Sequence, residues 1–162
     1  MIRPLMLDDK EWEKFRDETR SWVSTPFRHA LNTKGRGVDC SLLVGSIMLE
    51  LGYISYLDYS YYSADWYLQS GNELILNYMH AHVVRYLRND LRVIEEQLPL
   101  LRGDIVTLRL HRPDINNHTV IYMGEGRMVH AMSFNNVEEV PFSTSWQKRI
   151  GVVFRINKVG IS

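Results

Sequence analysis

The order of two periodicities in the sequence limits the folds that this chain can adopt. Apolar residues recur at helical spacing through much of the first half, whereas short β-branched or alternating segments follow Leu98. These later segments are DIVTLRL, HTVIYM, RMVHAMS, VEEVPF and GVVFRIN. Helices that precede strands, instead of alternating with them, predict an α+β fold in which N-terminal helices pack on an antiparallel sheet. Because 162 residues suit one core and no linker or repeat interrupts them, we expect a single domain over 1–162.

Three segments carry the helical pattern. In DDKEWEKFRDETRSWV, Asp8 or Asp9 can cap a helix whose apolar positions recur every three or four residues. The segment SLLVGSIMLELG is apolar nearly all round, which predicts a buried helix that ends at Gly52. Residues 71–90 carry a third, amphipathic pattern. The lone cysteine, Cys40, falls in the first turn of the buried helix.

Charge and cysteine content exclude several classes of protein. Nineteen basic residues balance nineteen acidic ones, which argues against a nucleic-acid partner. A single cysteine permits neither an internal disulfide nor a multi-cysteine zinc site. His80 and His82 would point to different faces of a helix, which argues against a metal site formed by this pair. The sequence contains no run of about eighteen apolar residues, so we expect no membrane span. The first residues lack the apolar segment of a signal peptide, so we expect synthesis in the cytoplasm without a cleaved leader.

Cys40 has the context of a reactive thiol. It follows the glycine-broken loop STPFRHALNTKGRGVD and begins the buried helix, where free N–H groups and the helix dipole favour a thiolate. A thiolate is a competent nucleophile, and N–H groups of the same turn can stabilise an oxyanion. The alternative is a buried structural thiol. Nucleophilic chemistry also requires a base, which the second half of the chain offers.

Two histidines flank a predicted hairpin in NHTVIYMGEGRMVHA. If residues 124–126 form a three-residue loop with a glycine in the left-handed conformation, Val120 lies opposite His130. His118 and His130 then point to the same face of the sheet, within about 7–8 Å of each other. A two-residue loop would place the two histidines on opposite faces. For each histidine taken alone, the alternative to a catalytic role is a hydrogen-bonded ring on a sheet face. As a pair, one ring can take the thiol proton while the other fixes its tautomer.

Three blocks of the sequence resemble the signatures of the NlpC-type cell-wall peptidases. These blocks are GRGVDCSLLV, LLRGDIVTLR and NHTVIYMGEGRMVHA, and the resemblance extends over about residues 20–155. It implies a papain-like fold with the cysteine-bearing helix on the sheet, hydrolysis of amide bonds in peptidoglycan stem peptides, and no metal or organic cofactor. By this resemblance Cys40 is the nucleophile, His118 the general base and His130 the residue that orients the base.

Five further positions bear on substrate binding or on the shape of the cleft. Asp39 and Ser41 match the family positions that line the substrate amine pocket, and helix capping is an equal alternative for Asp39. Phe27 stands where the family has a tyrosine whose hydroxyl assists the oxyanion, so backbone N–H groups have to supply that stabilisation. Leu42 and Val120 replace family glycines, and we expect both to enlarge the contact between helix and strand and to narrow the cleft.

A finer resemblance concerns where the protein acts. The segments TPFRHALNTKGRGVDC and WQKRIGVVFRI resemble the branch found in phage tails and gene-transfer particles. This resemblance implies tail-tip or hub proteins as partners and a virion tail as the location. Two alternatives remain: a structural tail-tip subunit with reduced or lost catalysis, favoured by the changes at Phe27, Leu42 and Val120, and an intracellular cysteine amidase or toxin.

The tyrosine-rich stretch 53–67 is either a glycan or docking surface beside the cleft or an aromatic cover of the sheet.

Overall fold

One large antiparallel sheet organises the structure, a computed structural model that describes residues 1–57 and 74–160. In chain order the strands are β1 (Ile2–Pro4), β2 (Asn32–Thr33), β3 (Gly37–Val38), β4 (Leu91–Glu96), β5 (Ile105–Leu108), β6 (His118–Gly124), β7 (Arg127–Ala131), β8 (Val137–Pro141) and β9 (Ile150–Val159). The large sheet has the order β1-β9-β5-β6-β7-β8, with β4 also paired to β9, while β2 and β3 form a separate ribbon. The predicted α+β fold with an antiparallel sheet is confirmed.

Helix α1 (Asp9–Ser21) forms where the first apolar periodicity predicts it. The Asp8 carboxylate accepts hydrogen bonds from the N–H groups of Lys10 and Glu11 at 2.9 and 3.1 Å. It thereby satisfies two of the donors that the start of a helix leaves free. The buried face of the helix consists of Trp12, Phe15 and Thr19.

Helix α2 (Cys40–Glu50) is the predicted buried helix. Its residues 41–48 are all buried, so the helix has no polar face. The backbone of Gly52 takes a φ of +73°, the left-handed conformation that commonly ends helices. The helix contacts α1 and the strands β6 and β7, and the prediction that the cysteine-bearing helix packs on the sheet is therefore confirmed.

The third helical segment is irregular within the predicted range 71–90. Helix α3 (Leu74–Tyr78) continues through a π-helical turn (Met79–Val83) into a 3-10 turn (Val84–Tyr86). The interpretation of the tyrosine-rich stretch falls mostly on residues 58–67, which lie outside the described residues. Within the two described ranges, none of the helices combines the length and the apolar character that crossing a bilayer requires.

The two faces of the large sheet carry separate hydrophobic clusters. Helices α1 and α2 cover one face, on which Ile121 of β6 is buried. The second cluster consists of Val106, Leu108, Val120, Met128, Phe142 and Val153, and the short helix α4 (Thr144–Gln147) contributes Trp146 to it. Because successive residues of a strand point to opposite faces, His118 and His130 belong to the second face and not to the face under α2.

The Gly-Asp block of the sequence has a structural role. Asp104 is fully buried, and its two carboxylate oxygens each accept a hydrogen bond of 2.8 Å from the guanidinium of Arg155. The N–H of Leu101 donates to the same carboxylate at 2.8 Å. Two-point pairing of this kind satisfies both charges inside the protein. The aspartate therefore joins the start of β5 to β9.

Candidate active site

The hairpin of β6 and β7 sets the two histidines side by side. Val120 lies opposite His130, as predicted. The predicted three-residue loop was wrong, because Gly124 pairs with Arg127 and the turn contains only residues 125–126, both with positive φ. A register shift just before Gly124 adds one residue to β6 and restores the pairing that places both histidines on one face.

A chain of hydrogen bonds runs from His118 through His130 to Glu138. Nε2 of His118 lies 2.9 Å from Nδ1 of His130, and Nε2 of His130 lies 3.3 Å from Oε1 of Glu138. Because an ionised carboxylate only accepts hydrogen bonds, His130 carries its proton on Nε2 and accepts at Nδ1. His118 therefore donates from Nε2, and its Nδ1 holds a lone pair. This is the tautomer that a general base at Nδ1 requires.

Cys40 begins α2 and lines the same pocket as His118. The N–H of Thr119 and the N–H and hydroxyl of Ser41 lie near its sulfur and lower the pKa of Cys40. The pairing of β6 with β7 begins at Val120, so the N–H of Thr119 lies one residue outside this ladder and acts on Cys40 instead. Helix α2 thus starts at the end of the sheet where β6 begins, and this brings a thiol and an imidazole from distant parts of the sequence into one pocket.

Burial keeps the thiol of Cys40 neutral and outweighs the predicted preference of the helix start for a thiolate. Burial raises the pKa of Cys40 to about 12, and the negative charge of Asp39 adds to the rise. The hydrogen-bond donors around the sulfur lower this pKa but do not outweigh burial. For His118, burial and the neighbouring His130 and His111 lower the pKa to about 3. Thiol and imidazole are therefore both uncharged at neutral pH.

Five of the six predicted site residues line one pocket of 280 Å³. They are Phe27, Asp39, Cys40, Ser41 and His118, and the sixth, His130, lies behind His118. Asp39 also caps α2, since its carboxylate accepts from the N–H of Leu42 at 2.9 Å and from the N–H of Ala30 at 2.8 Å. The capping role considered from the sequence is thus present, and it fixes Asp39 in the wall of the pocket.

The expectation that Leu42 and Val120 narrow the cleft was wrong. Leu42 is buried in the main core and does not line the pocket. Val120 belongs to the second cluster, because strand alternation turns it to the face of His130 and away from α2. Both side chains therefore fill core space without obstructing the pocket.

Glu138 was not predicted as part of the site. It lies on β8 directly opposite His130, with 47% of its side chain exposed. Burial lowers the pKa of His130, and the carboxylate of Glu138 opposes this change. An acidic residue within the strand-like segment VEEVPF was the available signal. To recognise Glu138 as a partner of His130 from this signal, the pairing of β7 with β8 has to be known, and the sequence does not reveal it.

A sequence profile of the NlpC/P60 family matches residues 24–155, a range that includes every residue of the pocket. The chain belongs to the NlpC/P60 family. The resemblance stated from the three sequence blocks is confirmed at this level, and the cysteine-bearing helix on an antiparallel sheet is the papain-like fold of NlpC/P60 domains.

Solved structures of NlpC/P60 proteins share this fold. An NlpC/P60 family protein from Bacillus cereus superimposes with a TM-score of 0.60 at 16% identity, over 88% of this chain and 39% of that protein. The P60 domain of an antigen from M. avium subspecies paratuberculosis gives 0.54 at 18% identity, over 91% of this chain and 94% of that domain. The peptidoglycan hydrolase RipB from Mycobacterium tuberculosis gives 0.55 at 17% identity, over 94% of this chain and 67% of RipB.

These comparisons concern the domain and not whole proteins. The chain spans only 39% of the length of the Bacillus cereus protein. It spans 44% of an NLP/P60 family protein from Staphylococcus aureus. No curated protein sequence matches the chain significantly. At identities this low, structural similarity shows a shared fold, and function has to be argued from the site.

Proposed function

We propose that the chain is a cysteine peptidase or amidase that hydrolyses amide bonds in peptidoglycan stem peptides. The observation that carries this proposal is the hydrogen-bonded pair of His118 and His130, which leaves Nδ1 of His118 able to accept a proton in the pocket that contains Cys40. Membership of the NlpC/P60 family and the fold shared with the peptidoglycan hydrolase RipB support the choice of substrate.

In this mechanism the reaction begins from two neutral groups. As Sγ of Cys40 attacks the amide carbonyl carbon, Nδ1 of His118 takes the thiol proton. The imidazolium is stabilised because its Nε2–H donates to His130, which in turn donates to Glu138. His118 then protonates the leaving amine, and the acyl group remains on sulfur as a thioester. A water molecule that gives its proton to His118 hydrolyses the thioester and restores the thiol.

The start of α2 offers a donor for the negative charge that develops on the carbonyl oxygen. Asp39 already accepts from the N–H of Leu42 through its side chain and from the N–H of Leu43 through its carbonyl oxygen, both at 2.9 Å. The N–H of Cys40 precedes these donors in the same turn, beside the attacking sulfur, and is the candidate oxyanion donor. Because Phe27 has no hydroxyl, stabilisation of the transition state depends on such backbone groups.

Digestion of purified peptidoglycan tests this proposal. We expect the wild-type protein to release fragments with new peptide termini, identified by mass spectrometry. We expect Cys40→Ala, checked for native circular dichroism, to reduce their rate of formation at least about a thousandfold, because no other group replaces the nucleophile. Fragments formed equally by both proteins would contradict the proposal. Inactivity of both proteins would favour the structural subunit, and cysteine-dependent cleavage of other amides alone would favour the intracellular amidase.

We further propose that the enzyme acts from a virion tail or a similar particle. The resemblance of TPFRHALNTKGRGVDC and WQKRIGVVFRI to the tail-module branch supports this location and supports tail-tip or hub proteins as partners. Hydrolysis from such a particle would open the host wall locally. Mass spectrometry of purified particles is the test: we expect the chain among their proteins, and its presence only in the soluble lysate would contradict this location.

A further inference from the structure

A groove of 560 Å³ with a basic lining lies beside the pocket of Cys40. One wall is the segment 109–113, which follows β5, and the other is 144–150, which includes α4 and the start of β9. The nitrogen-bearing side chains in its lining are Arg109, His111, Arg112, Lys148 and Arg149. We refer to this feature as the basic groove.

The two walls of the basic groove are joined at their base. The N–H of Arg109 donates to the carbonyl oxygen of Arg149 at 2.9 Å. The guanidinium of Arg149 donates back across the groove to the carbonyl oxygen of Leu110 at 3.1 Å. These two contacts fix the spacing of the two walls.

The positive charge of the basic groove is largely uncompensated. Its lining contains no aspartate or glutamate among the described residues. Arg112 pairs with Asp114 at 2.9 Å, but Arg109, Lys148 and Arg149 form no ion pair with any carboxylate in residues 1–57 and 74–160. Nε of Arg109 is buried without a hydrogen-bond partner in the same part of the chain. In a chain of zero net charge, this local excess of cations favours an anionic ligand.

The basic groove adjoins the pocket of Cys40. Leu110 and His111 line both, so a ligand that extends from the pocket past these two residues enters the groove. A substrate long enough to pass Leu110 and His111 would place a group in the groove, on the side of the pocket formed by the segment that precedes His118.

We propose that the basic groove binds a carboxylate of the substrate, so that the enzyme selects peptides with a free carboxylate close to the scissile bond. This inference rests on the proposed hydrolase function and extends it to substrate charge. Lys148 and Arg149 are the exposed cations that meet the carboxylate, and Arg109 lies at the base of the groove. Charged hydrogen bonds to a carboxylate are stronger than neutral ones, and they discriminate against an amide of the same shape.

A matched pair of peptides tests the proposal. The two peptides are identical except that the carboxylate beside the scissile bond is free in one and amidated in the other. We expect wild-type kcat/KM to favour the free acid by about tenfold at low ionic strength and by less as salt screens the exposed charges. The double variant Lys148→Gln with Arg149→Gln should lose this preference, because its kcat/KM falls further on the free acid than on the amidated peptide.

The control removes the same charge elsewhere: Lys10→Gln with Lys14→Gln, on the exposed part of α1, should leave the preference unchanged. Equal losses on both peptides in the groove variant, or no change on either, would overturn the proposal. Titration calorimetry of both peptides against Cys40→Ala provides a readout without turnover. If the free acid binds more tightly than the amidated peptide, and the groove variant loses this difference, the proposal is supported even if wild-type protein cleaves neither peptide. Equal binding of the two peptides to Cys40→Ala overturns the proposal.

Discussion

Glu138 fixes the protonation of two histidines that lie further inside the protein. Its carboxylate accepts from Nε2 of His130 at 3.3 Å, and the tautomer of His118 follows because the two rings share a hydrogen bond of 2.9 Å. The base is thus prepared by a residue that does not line the pocket of Cys40. A variant of Glu138 therefore tests how His118 is positioned without removing a catalytic group.

We expect Glu138→Gln to lower kcat about tenfold with little change in KM. The glutamine amide can donate to Nε2 of His130, which then carries its proton on Nδ1 and forces His118 to accept at Nε2. The proton of His118 then occupies Nδ1, where the thiol proton has to go. Because the side chain of Glu138 is about half exposed, the free energy of unfolding should change by less than about 1 kcal/mol. Steady-state kinetics and thermal denaturation measure both effects.

The adjacent Glu139 provides the control. Its carboxylate binds Arg20 at 2.8 Å and Arg127 at 3.1 Å, away from the histidines. Glu139→Gln should therefore reduce the free energy of unfolding and leave kcat unchanged. Wild-type kcat in Glu138→Gln, or equal loss of kcat in both variants, would show that Glu138 does not set the tautomer.

At the scale of elements, local periodicity was enough to predict α1, α2 and the strands of the hairpin. Each of these elements buries one face or all of its surface, and such burial leaves a repeating apolar pattern in the sequence. The turn between β6 and β7 was not predictable in the same way, because Gly124, Glu125 and Gly126 permit more than one loop length. The bulge in β6 decides the outcome, since it restores the register of Val120 with His130.

Features that depend on distant partners were missed. Strand β4 begins shortly after a helical segment and is defined by its pairing along β9, which local sequence does not reveal. The ionisation of Cys40 shows the same limit. The favourable effect of a helix start is visible in the sequence, but the burial that raises the pKa of the thiol comes from packing against distant strands such as β6. The candidate site residues were found because their chemistry is local, whereas their protonation is set by tertiary structure.

At the scale of the whole molecule, the pocket lies where two layers meet. Helix α2 packs on one face of the sheet, the histidines belong to the other face, and the start of β6 is the place where the thiol and His118 enter the same pocket. The clusters on the two faces hold the helix and the hairpin on the sheet, whereas the ion pair of Asp104 and Arg155 lies at the opposite end of β6, beside Tyr122. Correct relative placement of helix and hairpin is therefore a requirement for chemistry at Cys40.

The most direct test is to trap the acyl group on Cys40. The protein is mixed with a stem peptide activated as an ester, which makes acylation faster than hydrolysis of the thioester, then quenched in acid and analysed by intact-mass and peptide-mapping mass spectrometry. We expect a mass increase equal to the acyl portion, located on Cys40 and formed at least about a hundredfold more slowly in His118→Ala. Hydrolysis without an adduct on Cys40, or an adduct formed at the same rate in His118→Ala, would contradict a cysteine hydrolase that uses His118 as its base.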